Sequence, residues 1–245
     1  MKSIVLCAGY ATRLYPLTKN FPKPLLEVGN RPVINYIVEK IEELEIEKVF
    51  VITNSRYYPH FIDWQKNLKT KLSIEVIDDN TSEEETKLGA IADLSLVIEK
   101  KKINDDLLII AGDNLFDFSL KPMHEQFKKT RKTTISIIPA ENIEKLKKGA
   151  AVLLDKNKKV INIEEKSPNP NPKAYYGNCL YFFDKETLHF IQQYLKENNN
   201  PDQPGRFIQW LYPRKEVHGF LNKGRIIDIG TPETLEKARN QFTSK

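Results

Sequence analysis

The sequence predicts an α/β protein: a doubly wound, Rossmann-like mixed sheet in a single domain. Three short apolar runs, Ile4-Val5-Leu6, Val49-Phe50-Val51-Ile52 and Leu107-Leu108-Ile109-Ile110, are continuous rather than alternating. Strands covered on both faces read this way. Segments with the 3.6-residue period of helices lie between the runs, and strand alternating with helix is the pattern of a parallel sheet wound on both sides. A turn of small residues, Cys7, Ala8 and Gly9, follows the first run, at the carboxyl end of a strand where such sheets bind ligands.

The elements follow in order. Residues 2–7 read as a strand, and residues 32–44 as a helix opened by Pro32, with Val33, Ile34, Ile37, Ile41 and Leu44 on one face. Strands are expected at 49–52 and 72–77, with a helix at 56–68 between them. The polar, acidic stretch 78–85 is a loop, 88–98 is helical, and 107–110 is a strand ending at Gly112-Asp113-Asn114. After about residue 130 the rhythm changes to strands at 133–139, 150–154, 160–164 and 175–183, with Asn157 marking a hairpin. Asp184 caps a helix to about Leu195, the run 198–201 breaks it, and a short helix carries Phe207, Trp210 and Leu211. Strand-like segments at 217–221 and 225–227 precede a last helix with Thr231 as its cap and Pro232 in its first turn. One domain over 1–245 is expected, with a first half to about residue 112 and a second half after it.

The composition excludes several classes. At 245 residues, 40% hydrophobic and 29% charged, the chain is an ordinary globular protein that needs no disulfide or metal staple. Cys7 and Cys179 fit no metal spacing, and the four histidines form no ligand pair, so a reduced cytoplasm is the expected setting. No apolar run is long enough to span a bilayer, and no signal peptide is expected. The net charge of +5 comes from lysine clusters at 100–102, 128–132 and 145–148, interspersed with acids and without aromatic partners. They read as solvated helix ends and turns, not a nucleic-acid surface.

The chemistry concentrates in residues 6–26, LCAGYATRLYPLTKNFPKPLL. Backbone of small residues, the Thr12 hydroxyl, the Arg13 guanidinium and Lys23 between Pro22 and Pro24 together suit a polyphosphate: amides cradle oxygens and cations neutralise charge. Asp113 directly follows an apolar strand and Gly112, where a carboxylate either caps a turn or holds a divalent cation beside a phosphate. In Asp228-Ile229-Gly230-Thr231-Pro232-Glu233, Thr231 and Pro232 start a helix, whereas Asp228 has no such task. Two carboxylates about 115 residues apart, each ending a strand, make a credible Mg²⁺ pair with phosphate oxygens completing the shell. Glu165-Lys166 ends a strand, where Glu164-Glu165-Lys166 would serve as a charged hairpin end.

At these residues the chain resembles the sugar-1-phosphate nucleotidyltransferases, whose pattern LxAGxGTRLxPLT followed by PKPL is met here with Ala11 in place of a glycine. The resemblance implies the nucleotide-diphospho-sugar transferase fold, in a short form without a β-helix. It implies Arg13 and Lys23 as catalytic residues, Leu6, Ala8, Gly9, Thr12 and Gly89 at the nucleotide, and Asp113 and Asp228 on Mg²⁺. It further implies Glu165 on sugar hydroxyls, Lys166 on the acceptor phosphate and Gly177 beside the sugar. The implied reaction joins an NTP to a sugar 1-phosphate, giving an NDP-sugar and pyrophosphate, with no nucleic acid or membrane involved and a homo-oligomer left open. Two alternatives stay open: a cytidylyltransferase for a non-sugar phosphate such as phosphocholine, favoured by the acidic 83–85 run and the aromatics at 210–212, and a non-catalytic nucleotide-sugar-binding subunit.

Overall fold

A computed structural model describes residues 1–242. The chain runs β1 (Lys2–Leu6), β2 (Glu27–Val28), β3 (Arg31–Pro32), α1 (Val33–Glu42), β4 (Lys48–Thr53), α2 (Tyr58–Asn67), β5 (Ile74–Asp78), α3 (Ala90–Lys100), β6 (Leu107–Ala111), β7 (Asn114–Phe116) and α4 (Lys121–Thr130). It continues β8 (Thr133–Ile138), α5 (Ile143–Lys147), β9 (Ala150–Leu154), β10 (Val160–Glu165), β11 (Tyr175–Phe183), α6 (Leu188–Lys196), α7 (Pro204–Leu211), β12 (Val217–Leu221), β13 (Ile226–Asp228) and α8 (Pro232–Gln241). Alternation of strand and helix gives way after α4 to consecutive strands, so the fold is α/β with a mixed sheet. Helices α4 and α5 are additional to the sequence expectation; α4 is polar and lysine-rich, burying only Met123, His124 and Phe127. Among the described residues no helix is long and apolar enough to cross a membrane.

Two compact units interleave in sequence: Met1–Gly89 with Ile110–Leu120 and Gly224–Lys245 form the first, Ala90–Ile109 with Lys121–Lys223 the second. In the first unit β1 pairs parallel with β4, and β4 with β5, in registers that bring Leu6 beside Ile52 and Thr53 beside Asp78. The three strands therefore end together, and the chain leaves the sheet where ligands bind in such folds. Ile4, Val5, Val49, Val51 and Ile52 are all buried, which is why these strands carry no polar alternation. Helix α1 buries Val33, Ile34, Ile37 and Ile41. Val33 and Tyr36 join Leu115, Ile227, Ile229, Leu235 and Ala238 in a second apolar cluster. That cluster seats the β7–β13 ribbon, which carries both expected metal aspartates at its ends.

In the second unit the strand order is β10-β9-β11-β8-β12, antiparallel except for β8 with β12. The β9–β10 hairpin forms where expected. Asp155 Oδ1 accepts from the amides of Asn157 and Lys159, and Lys158, not Asn157, takes the left-handed conformation (φ +68°). Asp184 caps the turn before α6 as anticipated, accepting from the Thr187 amide.

Candidate active site

After β1 the chain enters residues 8–18, a loop held from below by buried side chains. Asn54, at the end of β4, donates from Nδ2 to the Ala8 carbonyl at 2.8 Å and accepts the Tyr57 amide at 3.0 Å. Tyr57 donates to the Thr18 carbonyl at 2.6 Å, Thr18 Oγ1 donates to the Ala11 carbonyl at 2.8 Å, and Tyr10 Oη lies 3.2 Å from Thr81 Oγ1. These anchors lie outside the phosphate-loop motif; the one hint in sequence was an aromatic, Tyr10, in a turn otherwise made of small residues. Ala11 sits at φ +51°, ψ +44°. This left-handed geometry favours glycine and gives the physical reason for the glycine that Ala11 replaces. A side chain added at Gly9 would meet no protein atom within 4 Å. The loop is thus open at Gly9, whereas the Leu6 carbonyl at the end of β1 accepts the Gly112 amide at 2.8 Å and Thr12 opens the 3-10 turn Thr12–Leu14.

The charged residues of this unit converge beyond the loop. Lys23 opens a 3-10 turn (Lys23–Leu25) between Pro22 at its cap and Pro24, and forms an ion pair with the Asp113 carboxylate. Their side chains are only 14% and 23% exposed. Burial opposes charge on Lys23, but Asp113 and then Asp228 outweigh it, with Arg13 acting in the opposite sense; its pKa stands above the ordinary lysine value. Asp228 is brought in by the antiparallel β7–β13 ribbon, in register with Asn114, and the Ile229 amide donates to the Asp113 carbonyl at 3.1 Å. Arg13 is exposed and lies alongside: a Cβ placed on Gly230 would sit 3.3 Å from its Nη2 and 3.6 Å from Asp228 Oδ1. The capping box of α8, in which Thr231 and Thr234 bond reciprocally, fixes the backbone just past Asp228.

Gly112 and Cys7 form the floor. A Cβ at Gly112 would fall 2.4 Å from Cys7 Sγ and 3.0 Å from the Leu6 carbonyl oxygen, so only glycine fits. Burial, reinforced by Asp113 and opposed by Lys23, pushes the Cys7 thiol pKa well above its usual value. The floor is therefore a neutral thiol, not a competing anion. The donor set suits a hard divalent ion: two carboxylates act on one site, and a cation, the Lys23 ammonium, already rests on one of them. Mg²⁺ is commonly held by one or two carboxylates with water and substrate phosphates completing its shell. Among the described residues no third acidic, histidine or cysteine side chain completes a cage.

The remaining expected residues lie elsewhere on the chain. Gly89, at φ +92°, occupies a conformation that L side chains avoid, just before α3. Glu165 and Lys166 close β10 in the second unit; Lys166 is left-handed (φ +52°) and its amide donates to the Gly149 carbonyl at 2.8 Å. Burial raises the Glu165 pKa above the usual carboxylate value, against the pull of Lys166 and Arg206. Gly177 has a packing reason to be glycine: a Cβ there would lie 3.0 Å from Val152 and 3.1 Å from Ala150. Phe207 is fully buried, and Trp210 packs among Phe190, Tyr194 and Phe207 while donating to Glu197 at 2.8 Å. Packing thus accounts for Phe207 and for one face of Trp210, which weakens one of the two observations behind the phosphocholine alternative.

The family model described as Nucleotidyl transferase matches residues 2–245. The bifunctional protein GlmU of Methanocaldococcus jannaschii is 27% identical over 246 residues, covering all of this chain and 55% of that protein. Mannose-1-phosphate guanylyltransferase 1 of Arabidopsis thaliana is 31% identical over 243 residues, 95% of this chain and 62% of that protein. The chain thus spans somewhat more than half the length of these curated relatives. A UDP-glucose pyrophosphorylase solved with UDP-glucose superposes with a TM-score of 0.84 at 20% identity, covering 98% of this chain and 97% of that one. The corresponding enzyme from Acinetobacter baumanii gives 0.77 at 19% identity, over 97% and 91%. At these identities the likeness is one of fold, the nucleotide-diphospho-sugar transferase architecture.

Proposed function

Since the chain belongs to the nucleotidyl transferase family, we propose that it transfers a nucleotidyl group from an NTP to a sugar 1-phosphate, releasing pyrophosphate. The observation that carries the reading is the convergence of Arg13, Lys23, Asp113 and Asp228 beside an open small-residue loop. Such a set has no use in packing, and it suits a reaction in which charge must be held in place.

Both substrates are anions, and the new bond forms between an oxygen of the acceptor phosphate and the α-phosphorus. The bond from the α-phosphorus to the oxygen bridging to the β-phosphate breaks, and pyrophosphate leaves with that electron pair. The attacking oxygen is already ionised, so no general base is required. Catalysis is then positioning and preorganised charge. The amides of residues 8–12 receive phosphate oxygens. Arg13, exposed beside Asp228, binds the leaving pyrophosphate. Lys23 neutralises charge growing on the α-phosphoryl oxygens, its ammonium kept protonated by the two aspartates. Asp113 and Asp228 would hold Mg²⁺, which when bound would supply further positive charge to offset that of the phosphates. Glu165 accepts hydrogen bonds from sugar hydroxyls, and Lys166 binds the acceptor phosphate. The same reading takes the cytoplasm as the setting, with no nucleic acid or membrane as partner.

The test is pyrophosphate release from each of ATP, CTP, GTP, UTP and dTTP with Mg²⁺ and a panel of hexose 1-phosphates, heptose 1-phosphate and phosphocholine. Release that requires one NTP together with one sugar 1-phosphate is expected. Release with phosphocholine alone, or nucleotide binding without release from any pair, would overturn the proposal.

A further inference from the structure

We infer that Gly205 is a positioning residue for Glu165: its missing side chain is the space in which the Glu165 carboxylate is set, and Gln209 fixes the backbone from the same helix face. This rests on the reading of Glu165 as the carboxylate that meets the acceptor. A Cβ built on Gly205 would lie 1.9 Å from Glu165 Oε2, 2.7 Å from Cδ and 3.4 Å from Cγ. The carboxylate therefore lies directly over the Gly205 Cα, and no other residue is compatible with this Glu165 rotamer. One helical turn on, Gln209 Oε1 accepts the Glu165 backbone amide at 3.1 Å. Positions i and i+4 share a helix face, so one face of α7 holds both ends of the residue. Beyond Glu165 the chain is turned by the left-handed Lys166, bonded to the Gly149 carbonyl. Side chain, amide and following backbone are each constrained.

The choice of glycine runs against local preference. Helices favour alanine over glycine, and Gly205 is buried in the first turn of α7, where an apolar side chain would ordinarily pack. What fills the space instead is a carboxylate, drawn towards the positive end of α7 and towards Arg206, the opposite charge beside it. It is half-buried, which suits a group that exchanges water for the hydroxyls of a polyol ligand. A carboxylate displaced by an ångström would lose those hydrogen bonds, since misplacement on that scale costs up to about 10²-fold.

The test is a double-mutant cycle between Gly205→Ala and Glu165→Ala, read by acceptor KM and kcat, by NTP affinity and by thermal unfolding without ligand. Gly205→Ala should raise acceptor KM roughly 10- to 100-fold, change kcat less, leave NTP affinity unaltered and lower the Tm. In the Glu165→Ala background the same substitution should leave acceptor KM unchanged and raise the Tm, because only helix preference remains. Equal KM shifts in both backgrounds, or a higher Tm with Glu165 present, would overturn the inference. Gln209→Ala, which leaves Gly205 intact, should raise acceptor KM about two- to fivefold through the loss of one hydrogen bond; an unchanged KM there counts equally against it. Failure of the reading for Glu165 itself is seen separately, as wild-type turnover that Glu165→Ala does not impair.

Discussion

Replacing Lys23 by methionine should move two measurements in opposite directions. The substitution keeps an unbranched chain of similar length but removes the ammonium that rests on Asp113 and faces Asp228. A unit charge pair at about 4 Å in an effective dielectric near 20 interacts by about 4 kcal/mol. The two side chains retain 14% and 23% of their exposure, so water screens the pair; about 2 kcal/mol is a fair discounted value. A divalent cation must meet that competition at Asp113 in the wild type but not in Lys23→Met. Its affinity in the absence of nucleotide should therefore rise roughly 30-fold, at 1.4 kcal/mol per factor of ten. Turnover should fall by roughly 10²-fold or more, the cost of losing one preorganised charge contact at the reacting phosphoryl group. Calorimetric titration with Mg²⁺ or Mn²⁺ reads the first effect and pyrophosphate release the second. Unchanged or weaker metal affinity would show that the ammonium and the metal do not share Asp113. Near-normal turnover would remove Lys23 from the chemistry.

Three further outcomes are expected. Ala11→Gly should stabilise the protein by up to about 1 kcal/mol in urea unfolding, as relief of the left-handed strain (about 1–2 kcal/mol) exceeds the added flexibility of glycine (about 0.5–1 kcal/mol); destabilisation would mean the Ala11 methyl packs usefully. Gly112→Ala should cost about 2 kcal/mol of stability by overpacking against Cys7 Sγ, and Cys7→Ala should recover part of it, leaving the close approach to the Leu6 carbonyl. Asp184 is buried; Lys215 at 3.1 Å and the hydroxyls of Thr133 and Thr187, both at 3.0 Å, overcome the burial and hold its pKa below the ordinary value. Its contribution is thus present above the unfolded aspartate pKa, about 3.9, and is lost as pH falls through the lowered folded value. Asp184→Asn should cost about 3 kcal/mol near neutral pH, with the gap from wild type narrowing as pH falls below about 3.9; a gap that does not change with pH would assign the effect to packing.

Much of the architecture was legible because burial on both faces leaves a direct mark. Runs such as 49–52 and 107–110 have no polar residue to alternate with, and they became β4 and β6. Helix α1 showed itself through the buried row Val33, Ile34, Ile37 and Ile41 behind Pro32. Helix α4 did not, because most of its surface is solvated and its three buried residues, Met123, His124 and Phe127, are too few for a clear period. The interleaved units were equally hidden: residues 110–120 and 224–245 return to the first unit by pairing β7 with β13, and ribbon pairing between distant segments leaves no local trace in composition.

The candidate site divides along the same line. Groups suited to a phosphate or a metal stand out by their charge, and these charges together with the family resemblance singled out Arg13, Lys23, Asp113 and Asp228 before any coordinates. The groups that hold them in place are ordinary residues whose task exists only in three dimensions. Asn54 under Ala8, Tyr57 under Thr18 and Cys7 under Gly112 have no chemical signature, yet each fixes a backbone position that a ligand would read. Charge preorganisation depends on both kinds: an ammonium aimed at an α-phosphate is useful only if its carrier turn cannot move. Lys23 meets that condition through Pro24 in its turn and Asp113 at its tip, and Asp113 in turn through the Ile229 amide on its carbonyl. The second aspartate therefore arrives with a backbone bond to the first, so that weakening the β7–β13 ribbon should loosen the carboxylate pair and the lysine together.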